Sequence, residues 1–267
     1  MQLIQSRHNK IIKEILSLKS KKYRRMKQCY IVEGFRFVRE ALMSGTEVRH
    51  ICFSTGFFEK TGRELEPLMN SQIRCFEVPE GLFRQLAETD SPQGVLAVVH
   101  ITVKPLSYLY RKGFRGLILD CVQDPGNAGT VIRSAHALGF DAVVATKSSV
   151  DIFSGKVLRA TMGSLFYIPV IDCMEEEEIL SFCRKHDVKV IISRPENAKA
   201  CHETDLSGGF FLVVGNEGKG VSGTMESKVS EYCFIPMPGG AESFNAAVAA
   251  SILMYESNRQ RINVTGG

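Results

Sequence analysis

From residue 116 onward, apolar runs alternate with helical periodicities, and this alternation restricts the fold more than any other feature of the chain. Residues 116–122 read GLILDCV, a continuous apolar run of the kind seen in a strand covered on both faces. Residues 127–139 follow, with Val131, Ile132, Ala135 and Leu138 at helical spacing and Gly139 as a stop signal. Further strands are expected at 142–145, 167–171, 188–192, 210–214 and 232–235, with helices at 175–185 and 242–258. This βαβα order predicts an α/β fold with a mostly parallel sheet and helices on both faces. Ligands of such sheets bind beyond the carboxyl ends of the strands, and the polar motifs of this chain begin at those ends.

The first hundred residues follow another plan. Ser6 is placed to cap a helix running to about Lys19, with Ile11, Ile15 and Leu18 on one face and Ile12 and Leu16 widening it. Strands are expected at 29–32, 48–53, 73–78 and 94–103, and a helix at 35–43 after a turn at Glu33-Gly34. This predicts a small α/β domain over residues 1–105. The Pro- and Gly-marked stretch 104–113 joins it to a second domain over 113–267.

Charge is unevenly distributed. The whole chain carries a net charge of +4. Residues 1–40 hold six Lys and five Arg against three Glu, so the remainder is net acidic. A basic arm on an acidic body suits a polyanion such as RNA. The candidate contacts are Arg7 and Lys10 on the first helix and Lys21, Lys22, Arg24 and Arg25 in the run KSKKYRRMK; a solvated helix face is the other reading of the same charges. The eight cysteines include no C-x-x-C pair, which argues against a zinc site or a disulfide framework and for free thiols in a reducing compartment. The start MQLIQSRHNK lacks the apolar run of a signal peptide, and no apolar stretch reaches the roughly 18 residues of a membrane span. A cytoplasmic protein with no membrane partner is expected. His136 and His202 have no nearby ligand partners in sequence, so no metal is expected.

Three segments carry the chemistry. In the first, Asp124-Pro125-Gly126-Asn127 makes a tight turn in which Asn127 suits the N-cap, and Arg133 lies beside the apolar helix face, either snorkelling or aimed at a site. In the second, Gly215-Asn216-Glu217-Gly218-Lys219-Gly220 follows the strand at 210–214. Its glycines admit a ligand close to the backbone, but the spacing is neither the dinucleotide fingerprint nor a P-loop. In the third, a stiff loop, Ile235-Pro236-Met237-Pro238-Gly239-Gly240, leads to a helix start with Ser243 and Asn245. Ala247, Ala249, Ala250 and Ser251 keep that helix thin enough for close packing.

Taken together, these segments resemble the SpoU/TrmH family of RNA ribose 2′-O-methyltransferases. The family pattern N-x-G-x-x-x-R-x-A falls on Asn127, Gly129, Arg133 and Ala135. G-x-E-x-x-G falls on Gly215, Glu217 and Gly220. The third pattern falls on Ile235, Pro236, Met237, Gly239, Ser243, Asn245, Val248 and Ala249, with Phe244 in place of the usual Leu. The N-terminal half is similar, over shorter stretches, to the family's ribosomal-protein-like RNA-binding fold, through Tyr30-Ile31-Val32-Glu33-Gly34 and Ser91-Pro92-Gln93-Gly94-Val95-Leu96-Ala97.

The resemblance implies a C-terminal trefoil knot and a homodimer formed through the C-terminal domain. It implies an S-adenosylmethionine cofactor contacting Val213, Gly215, Ile235, Met237, Ser243 and Phe244. It places Arg133 at the 2′-hydroxyl, Asn127 and Asn245 as orienting groups for Arg133 and the ribose, Glu217 as a support of the loop, and Ser243 as a cap of the last helix. A guanidinium is a poor base at neutral pH, so proton abstraction and stabilisation of a developing alkoxide both stand as roles for Arg133. Ribosomal RNA is the expected substrate, with transfer RNA or a non-catalytic RNA-binding role as alternatives. A nicotinamide-binding sheet protein is disfavoured, because Gln123-Asp124-Pro125-Gly126 stands where the phosphate fingerprint would be.

Overall fold

A computed structural model describes residues 1–102, 104–194 and 197–265. In chain order the first elements are β1 (Gln2–Leu3), α1 (Lys10–Ser17), α2 (Lys21–Lys27), β2 (Cys29–Glu33), α3 (Phe35–Met43) and β3 (Val48–Ser54). Next come α4 (Phe57–Lys60), β4 (Arg74–Val78), α5 (Glu80–Leu86), β5 (Val95–His100), α6 (Leu106–Leu109), β6 (Arg115–Leu119) and α7 (Pro125–Ala137). They are followed by β7 (Ala142–Thr146), α8 (Gly155–Thr161), β8 (Val170–Met174), α9 (Glu176–His186) and β9 (Lys189–Ser193). The last are β10 (Lys199–Ala200), β11 (Phe210–Val214), α10 (Gly223–Glu226), β12 (Glu231–Phe234) and α11 (Ala246–Thr265).

The chain divides into two compact units. The first holds Met1–Thr102 together with Phe153–Phe166, and the second holds Val103–Ile152 and Tyr167–Gly267. The segment around α8 therefore belongs to the first unit, although the sequence places it between two strands of the second. Its apolar residues explain this. The Phe153 ring packs against Tyr30 at 5.0 Å and the Phe166 ring against Phe37 at 5.1 Å.

The first unit is built on a mixed five-stranded sheet in the order β1-β4-β3-β5-β2. Ile12 and Ile15 from α1, Leu18 at its C-cap and Leu82, Phe83 and Leu86 from α5 bury one face of it against Cys29, Ile31, Phe76, Leu96 and Val98. Tyr30, one residue out of phase with Ile31, points to the other face, as strand alternation requires. The cap of α1 differs from expectation. Asn9, not Ser6, caps the helix by accepting a 2.8 Å bond from the Ile11 amide, and the Ser6 hydroxyl accepts from the His8 amide instead. The basic run is itself the short helix α2, closed by Gln28 in the left-handed region. The strand expected over 94–103 is β5, and Val103 lies outside the described residues.

The second unit is a seven-stranded sheet in the order β10-β12-β9-β11-β6-β7-β8, parallel at every pairing. Helices cover both faces, as the continuous apolar strands predict. On one face Ile118, Val144, Val190, Ile192, Phe211 and Val213 pack against Ile179, Leu180, Phe182 and Cys183 of α9 and Met225 of α10. On the other, α7 and α11 lie together, tied by Ser134 and Ser251 through a 2.8 Å hydroxyl contact. Several boundaries moved, two of them for a plain reason. β8 starts at Val170 instead of 167, since Pro169 has no N–H for the ladder. α7 ends at Ala137 with Gly139 at φ +67°, the left-handed turn that stops the helix.

The far end of α11 is held by polar clamps. Ser257 Oγ donates to the Leu206 carbonyl at 2.7 Å, Gln260 Nε2 to Thr204 O at 3.0 Å, and Arg261 Nε to Ser207 O at 2.8 Å. Arg115 lies buried beneath this end, over the Phe140 ring at 4.5 Å, and burial lowers its pKa to about 10.

Candidate active site

The carboxyl ends of β6 and β11 lie side by side, with Leu119 paired to Val214. The loop after β11 is pinned back to the end of β6. Asp120, wholly buried, accepts a 2.6 Å bond from the Ser222 amide. Asn216 Nδ2 donates to the Cys121 carbonyl at 3.0 Å, while its Oδ1 accepts from the Gly218 and Lys219 amides. Backbone bonds between Asn216 and Gly220 close the turn. At Gly215 a Cβ would sit 2.6 Å from the Gly220 carbonyl carbon, so the turn closes this tightly only on glycine.

The three motifs meet in one chain of hydrogen bonds. Asp124 caps α7 by accepting from the Asn127 amide at 2.7 Å. Asn127 is thus inside the first turn and not the cap, which leaves its side chain available. Its Nδ2 donates to Glu217 Oε1 at 2.8 Å, and its Oδ1 accepts from Asn245 Nδ2 at 2.9 Å. Burial alone would push the Glu217 carboxyl up. The bond from Asn127 and bonds from nearby backbone amides outweigh it and hold the carboxyl below its ordinary range. Asn245 also works on its own helix, because its Oδ1 accepts from the Ala247 and Val248 amides and caps α11. The expectation that Ser243 caps this helix fails for that reason. Ser243 stays exposed in the loop, and the helix begins at Ala246.

Beside this chain lies a cavity of about 590 Å³. Val213, Gly215, Ile235, Met237, Ser243 and Phe244 all line it, with Glu217 and Asn245. Arg133 does not line it. Arg133 stands exposed on α7, with no hydrogen bond or ion pair among the described residues. Asn127 and Asn245 bond to each other, so the expectation that they orient Arg133 is replaced by one in which they hold the two loops together.

Of the basic arm, Arg7, Lys10, Lys22 and Arg25 are exposed and Lys21 is half-buried. Arg24 is a correction. It is only 6% exposed, and its guanidinium donates to the Leu18 carbonyl at 2.6 Å, joining α2 to the end of α1. Residues that the sequence did not mark are Asp120, Asn216, Arg194 and Glu226. Asp120 had a signal, as a carboxylate inside an apolar strand. Asn216 had one too, as an Asn opening a Gly turn. Arg194 and Glu226 had none.

Residues 115–255 match the model of the SpoU rRNA methylase family, and residues 9–97 match an MRM3-like substrate binding domain. The chain belongs to the SpoU rRNA methylase family. Its curated relatives include the 23S rRNA (guanosine(2553)-2'-O)-methyltransferase RlmP of Bacillus subtilis, 36% identical over 96% of this chain and 98% of that one. Among solved structures, the AdoMet-bound rRNA methyltransferase of Sinorhizobium meliloti superposes with a TM-score of 0.85 at 28% identity, over 97% of this chain and 98% of that one. A structure concerned with 2-OH methylation of C/U34 on tRNA matches with a TM-score of 0.52 at 26% identity, over 99% of its own length but 58% of this SpoU-family chain. No helix among the described residues is long and apolar enough to cross a membrane.

Proposed function

We propose that this chain is an S-adenosylmethionine-dependent methyltransferase acting on a ribose 2′-hydroxyl of ribosomal RNA, specifically the large-subunit RNA. The observation that carries the proposal is the Asn245–Asn127–Glu217 chain of hydrogen bonds beside a cavity lined by all six residues expected at the cofactor. The cavity falls in the size range of small-molecule sites, roughly 300–1,000 Å³, with a mixed apolar and polar wall. The tight turn at Gly215 brings main chain to its surface, which suits an adenosine-bearing molecule. Such a cofactor supplies an already activated sulfonium methyl.

The protein's own residues then divide the remaining work. Asn127, Glu217 and Asn245 lock the loops so that the cavity keeps its shape. Ser243, exposed at the rim, contacts the reacting ribose, while Phe244 stays with the cofactor. Arg133, uncommitted to any partner among the described residues, would take a phosphate and stabilise a developing alkoxide. That role suits a guanidinium better than proton abstraction does. Arg7, Lys10, Lys21, Lys22 and Arg25 grip the RNA backbone. The preference for ribosomal over transfer RNA rests on coverage. The rRNA-modifying relatives match this chain end to end, whereas the tRNA-linked structure matches little more than half of it.

A homodimer through the C-terminal domain belongs to the same proposal. Val248, Tyr255 and Ile262 recur every seven residues on α11 and are 44%, 63% and 70% exposed, an apolar stripe that a second copy would cover. The proposal also includes the trefoil knot, supported by the clamps from Ser257, Gln260 and Arg261 onto residues 204–207, and a cytoplasmic location, where ribosomal RNA is found.

The test is methyl transfer. The purified chain with labelled S-adenosylmethionine should label 23S RNA at a single ribose, mapped by resistance to alkaline cleavage. Labelling on a base, or on transfer RNA alone, would overturn the substrate assignment.

A further inference from the structure

We propose that Arg194 and Glu226 form the subsite that recognises the zwitterionic amino-acid end of S-adenosylmethionine; this deepens the cofactor assignment above and rests on it. Both residues line the cavity, at the end of β9 and in α10. Arg194 lays its guanidinium over the Tyr232 ring, 3.3 Å from the centroid, and donates from Nη1 to Glu226 Oε1 at 2.9 Å. Tyr232 donates its hydroxyl to the same carboxylate oxygen at 3.4 Å.

The clamp leaves one group unsatisfied. Arg194 Nε is buried and has no hydrogen-bond partner among the described residues. That atom is closed off from the cavity as well, so a ligand carboxylate meets the outer guanidinium nitrogens, of whose N–H donors the Glu226 pairing uses one. The cofactor carries one anionic group, its α-carboxylate, and next to it an α-ammonium. A guanidinium and a carboxylate already paired on the wall present the complementary pattern, the cation to the carboxylate and the anion to the ammonium. Tyr232 fixes the guanidinium plane and supports it from beneath. The apolar wall at Ile235, Met237 and Phe244 is left for the adenosine.

The experiment is calorimetry on the full chain with three ligands: S-adenosylmethionine, its decarboxylated analogue, and 5′-methylthioadenosine, which lacks the amino-acid end. The wild type should bind S-adenosylmethionine at least about tenfold more tightly than 5′-methylthioadenosine. Arg194→Gln should weaken S-adenosylmethionine by about tenfold or more while leaving the decarboxylated analogue and 5′-methylthioadenosine unchanged. Glu226→Gln should weaken the first two ligands and spare the third. Unchanged 5′-methylthioadenosine binding also certifies that each variant is folded. Parallel loss for all three ligands, or undiminished S-adenosylmethionine binding in Arg194→Gln, would overturn the subsite. A wild type that binds 5′-methylthioadenosine as tightly as S-adenosylmethionine would overturn the subsite while leaving the cofactor assignment intact. A wild type that binds none of the three would remove both.

Discussion

The two units use polar residues in opposite ways. In the second, three polar side chains of the loops are each fixed by another part of the site. Asp120 holds Ser222, Asn216 holds the Cys121 carbonyl, and Asn127 is bonded on both sides. In the first, Arg7, Lys10, Lys22 and Arg25 of the arm are exposed and Lys21 is half-buried, and the one that turned inward, Arg24, became part of the packing. The difference fits the division of labour in the proposed function. Methyl transfer needs reacting atoms aligned closely, which requires side chains whose own positions are locked. Gripping a phosphate backbone needs only charge in roughly the right place, which exposed lysines and arginines can supply.

The largest expected effect separates Arg133 from the locked residues. Arg133→Ala should lower methyl transfer by about a thousandfold, the scale of losing a transition-state donor, with S-adenosylmethionine affinity near wild type in calorimetry. Appreciable turnover in that variant would take Arg133 out of the site.

A somewhat smaller effect should be confined to the first unit. His50 on β3 is 1% exposed, edge-on to Phe76 at 5.9 Å, with both ring nitrogens unbonded among the described residues. Burial, with Arg74 and Arg49 adding to it and Glu14 opposing, lowers its pKa to about 4. The unfolded chain therefore binds the proton more readily. The stability this group contributes is whole above pH of about 6.5 and is lost as pH falls towards about 4, roughly 3 kcal/mol across that window. Denaturant melts of wild type and His50→Phe should diverge on that limb. Hydrogen exchange at pH 5 should show loosening in β3 and β5 and not in β6 and β11. Equal loosening of both sheets would break the contrast.

Next, Asn127→Ala strips partners from Glu217 and Asn245 at once and should cost about 2 kcal/mol in a melt, with a weaker cofactor affinity. A stability loss with cofactor affinity unchanged would mean that the bonded chain does not shape the cavity. The smallest effect sharpens the first unit. Replacing Lys21, Lys22 and Arg25 together with Gln should flatten the salt dependence of RNA binding by about two units of slope. Arg24→Gln should lower the melting temperature and leave the slope alone. If Arg24→Gln changes the slope as well, the inward guanidinium still meets RNA.

Much of this was legible in the residues themselves. Continuous apolar runs such as 116–119 and 210–214 have no exposed face, so a sheet covered on both sides was required. The motif positions fixed which turns would meet, because strand ends of a parallel sheet all open on one edge. What failed were local assignments with near-equal competitors. The sequence reading made Ser6, Asn127 and Ser243 the caps, and the structure uses Asn9, Asp124 and Asn245, whose side chains carry the same kind of acceptor; only the packed chain decides which oxygen reaches the amide. Arg24 sits in a run of cations that sequence cannot rank, and helix phase turned that one inward.

By itself, then, the sequence determined the class of sheet, the order of its elements and the three turns that meet beside the cavity, since periodicity and backbone-restricting residues act locally. The tertiary structure alone decided that residues 153–166 pack with the first unit, that Asn127 bonds Glu217 and Asn245, and that Arg194 meets Glu226 on a cavity wall. Those pairings join residues tens to more than a hundred positions apart. No local propensity encodes such contacts; they form only when the buried apolar faces bring the strand ends together.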